Sequence, residues 1–215
     1  MDSIQYFNAL DALEKSMSVI LAQFGEQLMN FKADLILAGI TPGAIPLAPT
    51  VYGQQKMPWA NKLLGGSKYT ILQSGCLMCS YASATTDAGK PMNPEQMNDW
   101  LMANKGYVKD IDGQPCNFVF AAGDALGVLK FDTLKAYPVG VEAPIDKMDE
   151  YIKTGCIIVE VHPKAQSQHW CRYLGQGKIM DPWYGDIAPL VPRYYNSTNP
   201  ADAIYHAAYY KKTGA

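Results

Sequence analysis

An α+β domain is the fold class the sequence predicts, and three observations predict it. Helical periodicity dominates the first part of the chain and strand patterns the second. Two of the late strands are separated by Gly175-Gln176-Gly177, a strong hairpin signal. The chain has 215 residues, 48% hydrophobic and 18% charged, which suits one domain with a real core and an appendage.

The appendage comes first. Residues 3–38 carry Leu10, Leu13, Met17, Ile20, Leu21, Phe24, Leu28, Phe31 and Leu35 in a three- and four-residue rhythm without a proline, so they predict a long amphipathic helix capped by Asp2 or Ser3. Its apolar stripe is expected to pack on the body of the protein or to support self-association. GITPGAIPLAPTVYG follows, rich in glycine and proline, and reads as a linker. The expected division is residues 1–45, helix and linker, and residues 46–215, the main domain.

Within the main domain, residues 76–86 are small and apolar and predict a buried helix. Residues 94–104 predict a second, with Asn93 as cap and Pro94 in its first turn. Short helices are expected over 131–136 and 144–151. After Gly155 the pattern turns to strands: CIIVEVHP, HWCRYLG and KIMDPWY.

Composition narrows the function. A net charge of −2 and no basic stripe argue against nucleic-acid binding. No basic region precedes an apolar run at the N-terminus, so no signal peptide is expected, and no apolar run approaches the roughly 20 residues that span a bilayer. The five cysteines, at 76, 79, 116, 156 and 171, have no framework spacing and are expected to be reduced. The expected location is the cytoplasm or a phage particle.

QSGCLMCSYA, residues 73–82, holds the sharpest chemical signal. A structural zinc site would need a second ligand pair beside Cys76 and Cys79, and none is spaced for it. A redox C-x-x-C would sit in a βαβ context, which is missing. A nucleophile fits better: Cys76 follows Gly75 at a helix start, where free N–H groups favour a thiolate. Cys79, one turn on, is then a small buried thiol.

A thiolate nucleophile needs a base with an orienting partner. His162 ends a strand before Pro163, and His206, in AIYHAAYY, is expected to have no acidic neighbour of suitable geometry. His169 opens HWCRYLG, whose hairpin partner carries Asp181. A three-residue loop at 175–177 places Cys171 opposite Asp181 and sets His169 and Asp181 as diagonal neighbours on one face. A two-residue loop would put them on opposite faces. The residues alone leave two readings open: a Cys-His-Asp site, or a buried Cys76 with an exposed His169.

The pieces QQKMPWANKLLGGSKYTILQSGC, PEQMNDWLMANKGYV and CIIVEVHP…QHWCRYLG..KIMDPWYG, in this order and spacing, resemble the papain-like cysteine peptidases of the bacteriocin-processing, double-glycine-leader type. The likeness is to their stand-alone branch in bacteria and phages and covers roughly residues 51–210. It implies a papain-like fold, with Cys76 as nucleophile, His169 as base, Asp181 as orienting acid and an upstream glutamine in the oxyanion hole. Gln54, within Q-x-x-x-x-W-x-x-x-x-L-G, matches that glutamine better than Gln55 or Gln73. Leu77 stands where the family often has glycine. Gly75, Trp170, Trp183 and Tyr184 are candidates for the substrate cleft, Trp170 being equally suited to the core. The resemblance implies peptide or protein substrates, cell-wall peptide among them, with no cofactor and no metal. A catalytically silent binding or virion protein, or an amidase or acyl transferase with the same triad, is the alternative.

Overall fold

A six-stranded antiparallel sheet organises the computed structural model, which describes residues 48–161, 168–195 and 197–213. The chain divides into two units, Met1–Ala48 and Pro49–Ala215, and the six-stranded sheet belongs to the second. The helix expected over residues 3–38, its self-association and His162 lie outside the described residues.

The helices come first: α1 (Ile71–Ser74), α2 (Cys76–Asp87) and α3 (Pro94–Ala103). A two-stranded sheet follows, β1 (Tyr107–Lys109) with β2 (Pro115–Phe118). Then come β3 (Leu129–Ala136), α4 (Ile145–Tyr151), β4 (Gly155–Val161), β5 (His169–Gly175), β6 (Lys178–Asp181), β7 (Asp186–Pro189) and β8 (Ile204–Lys212). Across the large sheet the order is β3-β8-β4-β5-β6-β7. The α+β class holds. Residues 71–74, 76–87, 94–103 and 145–151 are helical, three of the four segments close to where the sequence put them.

Two expectations fail. Residues 131–136 are not a helix but part of β3, which pairs with β8 from Leu129↔Lys212 to Ala136↔His206. Tertiary pairing decides this segment: Phe131 packs against Phe120 and Tyr210, while its neighbours Lys130 and Asp132 are exposed. KIMDPWY is a strand only as far as Asp181, because Pro182 has no N–H to continue a ladder.

Both faces of the sheet are covered, and this explains the unbroken burial of β4. On one face, Ile158, Trp170, Ala208 and Tyr210 join Met78, Cys79, Tyr81 and Ala82 of α2 and Met97 and Leu101 of α3. On the other, Val159, Cys171, Tyr173 and Ile179 join Met148 of α4 and Tyr194. Helix α2 is buried from Met78 to Thr85, and the hydroxyls of Ser80, Ser83 and Thr85 donate to backbone carbonyls, as buried polar groups must. Arg172 ties its far end to the sheet, donating to Asp87 at 2.5 Å and to the Ser83 hydroxyl at 3.0 Å.

The β5–β6 hairpin carries the register that matters for the site. Its turn is the two residues Gln176 and Gly177, yet Arg172 pairs with Met180 and Tyr173 with Ile179, as a three-residue loop would require. An irregularity between Tyr173 and Gly175 absorbs the difference, with Gly175, Gln176 and Gly177 all at positive φ. His169 and Asp181 therefore share a face.

Candidate active site

Helix α1 ends where α2 begins, and Gly75 is the joint between them. Its φ of −86° is ordinary for any residue, so conformational freedom is not its role. Space is: a Cβ here would lie 2.5 Å from the Ile71 carbonyl oxygen and 2.7 Å from its Cγ2. Glycine lets the two helices abut, and this sets Cys76 as the first residue of α2. Gln73 closes the start of α1, its Oε1 accepting from the Thr70 N–H at 2.9 Å in a capping box. That structural task explains Gln73 without any part in chemistry.

His169 opens β5 and Asp181 ends β6, and Nε2 of the imidazole lies 3.0 Å from Oδ1 of the carboxylate. Both are buried, Asp181 completely. The carboxylate is held on every side. The Trp183 N–H donates to Oδ1 at 3.0 Å, Arg193 Nη1 donates to Oδ2 at 3.1 Å, and the Tyr194 hydroxyl also donates to Oδ2. Arg193 in turn forks onto Asp186 at 2.6 and 2.9 Å and lies 4.5 Å from the Tyr184 ring centre. The Tyr194 ring tilts against the imidazole with centres 5.3 Å apart.

These contacts set the charges. Burial pushes the Asp181 carboxyl up, but hydrogen bonds from His169, Tyr194 and Arg193 outweigh it and hold the group below its ordinary value. Burial acts to lower the His169 imidazole. Cys171, the Asp181 hydrogen bond and Cys76 oppose that, and the balance lies well above the ordinary value. Burial pushes the Cys171 thiol up to about 12, so at neutral pH it carries no charge to attract the imidazolium. Asp181 is then the partner that keeps His169 protonated.

Gln54 connects the two halves of the site. Its backbone N–H donates to the Pro182 carbonyl at 2.7 Å, just beyond Asp181. Its side-chain Nε2 donates to the Leu72 carbonyl at 2.6 Å, four residues before Cys76. The residue is buried, and its Oε1 has no hydrogen-bond partner. Trp59 braces the loop by donating from its indole to the Gly53 carbonyl at 2.8 Å. Gly53 itself meets the turn after Asp181, where a Cβ would come 3.0 Å from the Cα of Gly185. Gln55 is exposed.

The candidate cleft residues separate. Trp183 and Tyr184 are 43% and 61% exposed on the turn that follows Asp181. Trp170 is buried on the sheet face opposite His169, 5.6 Å from the Phe120 ring, and is core rather than cleft wall. Alternation along β5 is the physical reason. Sequence reasoning missed Arg193 and Tyr194, which reach Asp181 from a loop and carry no local signal. It placed Cys171 opposite Asp181 but assigned it no part.

Among the described residues, no helix is long and apolar enough to cross a membrane. No protein-family model, no curated protein and no solved structure matches this chain.

Proposed function

We propose that the chain is a papain-like cysteine peptidase acting on peptide or protein substrates. The observation that carries this reading is the His169–Asp181 pair, buried, hydrogen-bonded at 3.0 Å and neighbouring the Cys76 thiol at the start of a helix. Cys76 as thiolate attacks the substrate carbonyl carbon. The developing oxyanion takes hydrogen bonds from the Cys76 N–H and from the Gln54 amide, whose donors are worth of order 10²–10³ in rate each. The His169 imidazolium gives its proton to the leaving amine, and a thioester on Cys76 remains. The neutral imidazole then takes a proton from water as that water attacks the thioester, releasing the acid and restoring the thiolate. Asp181 keeps the imidazole oriented and its charge favoured. The exposed rings of Trp183 and Tyr184 offer an apolar rim for substrate side chains.

A catalytically silent binding protein of the same layout is the competing reading. In its favour, one Gln54 N–H is committed to the Leu72 carbonyl. An electrophilic peptide inhibitor decides between the two, with the adduct located by mass spectrometry. Labelling of Cys76 is expected to survive Cys79→Ser and to vanish with His169→Ala. Labelling indifferent to His169 would overturn the peptidase.

A further inference from the structure

The mechanism above leaves one nucleophilic group beside His169 unused. Cys171 is fully buried, one pair beyond Arg172↔Met180 in the hairpin register, and so lies across from Asp181. One ligand atom from each of His169, Cys171 and Asp181 lies within 4.8 Å of the other two. No other group of this kind occurs among the described residues. Cys76, a half-buried thiol, adds a second sulfur that interacts with the same imidazole.

We infer that His169, Cys171 and Asp181, completed by Cys76, bind a thiophilic divalent cation of the zinc class, and that the bound ion silences the site.

The donor set argues for the class. Sulfur, imidazole nitrogen and carboxylate oxygen together suit zinc, whereas magnesium and calcium want oxygen alone. Bonds of about 2.0–2.3 Å to a tetrahedral ion put ligand atoms roughly 3.3–3.8 Å apart, so the His169–Asp181 pair, now at 3.0 Å, opens a little and the Cys171 sulfur, within 4.8 Å of both, moves in. The surroundings already hold the ligands. Arg193 and Tyr194 fasten Asp181 through Oδ2 and leave Oδ1 on the His169 side, where Trp183 N–H is its other partner. Such outer hydrogen bonds orient metal-bound carboxylates. Arg193 is in direct contact with Asp181, and its charge is shared with Asp186.

Binding balances as ligand exchange. The Cys171 thiol loses its proton to solvent and its sulfur bonds the ion. The imidazolium loses a proton, and the freed nitrogen lone pair replaces its hydrogen bond to Asp181. Cys76 bonds through its thiolate, which is then unable to attack a carbonyl. The silencing half of this inference rests on the peptidase reading, while the binding half does not.

Zinc alone, titrated into the full chain against a chromophoric chelator, tests the binding half without any activity. One site per chain is expected, weakened by about tenfold or more in Cys171→Ala, and unchanged in Cys116→Ser, whose thiol lies elsewhere. Equal affinity in wild type and Cys171→Ala overturns the site. Should Cys171→Ala fail to fold, Cys171→Ser serves with cobalt as the probe, and the thiolate-to-cobalt absorption must lose intensity. Undiminished absorption again overturns it. For the silencing half, zinc must block labelling of Cys76 in wild type, with chelator restoring it. Labelling at full rate in zinc-saturated protein overturns that half alone.

Discussion

Nε2 of His169 lies 3.0 Å from Oδ1 of Asp181, although the first residue opens β5 and the second closes β6. The two meet because the hairpin irregularity near Gly175 keeps them on one face. Among the described residues, the other hydrogen bonds to the Asp181 carboxylate come from Trp183, Arg193 and Tyr194, all from the chain beyond β6.

Stability should depend on pH through this pair. The Asp181 carboxyl is held below its ordinary 3.8, so its contribution is present above about pH 4 and is lost as pH falls through the lowered folded value. The His169 imidazole is raised above its ordinary 6.5, so its contribution is complete below about pH 6.5 and is lost as pH climbs through the raised folded value. Asp181→Asn removes the charge both depend on. Thermal melts from about pH 2 to about pH 10 should show a lower and flatter profile for the variant. Parallel profiles would show that the pair is not the source.

Tyr194→Phe and Arg193→Lys should act through Asp181 rather than on substrate. Hydrogen bonds to a charged group contribute about 1.5–3 kcal/mol, and Tyr194→Phe should lower stability by that order. Arg193→Lys keeps the charge but loses the fork onto Asp186, so a smaller loss is expected. In peptide hydrolysis, both should lower kcat and leave KM nearly unchanged. A rise in KM alone would place these residues against substrate instead.

Gly75→Ala is expected to be disruptive for steric reasons only. The new Cβ meets the Ile71 carbonyl at 2.5 Å, and backbone cannot move aside cheaply. Overpacking of this kind costs about 1–3 kcal/mol. The joint between α1 and α2 must open, so Cys76 should also react more slowly with the electrophilic inhibitor. Normal melting and normal labelling together would show that the joint tolerates the methyl.

Gln54→Ala should show two separable losses. The Leu72 carbonyl loses its donor, which costs about 1–3 kcal/mol in denaturant unfolding. Turnover should fall by about 10²–10³ if the amide also holds the oxyanion. A drop in stability with turnover intact would confine Gln54 to bracing the loop.

Much of the site was legible because its residues carry local signals. Gly75-Cys76 at a helix start, His169 at a strand start and Asp181 before a proline are each visible within a few residues. The β5–β6 register could be posed from the glycines of the hairpin, but the choice between faces needed the irregularity at Gly175. Arg193 and Tyr194 were invisible because loop closure, not periodicity, brings them to Asp181.

By itself the sequence determined the helices-then-sheet order and the buried character of α2. It could do so because burial, capping and strand alternation act over a few residues. Its expectation that His206 lacks an acidic neighbour fails, because pairing of β4 with β8 brings Glu160 Oε2 to 2.5 Å from His206 Nδ1. Only the tertiary structure decided that residues 131–136 are a strand, that Trp170 belongs to the core and that Cys171 lies beside His169. Those outcomes depend on which strand lies alongside and which face is covered, and such long-range contacts override local preference.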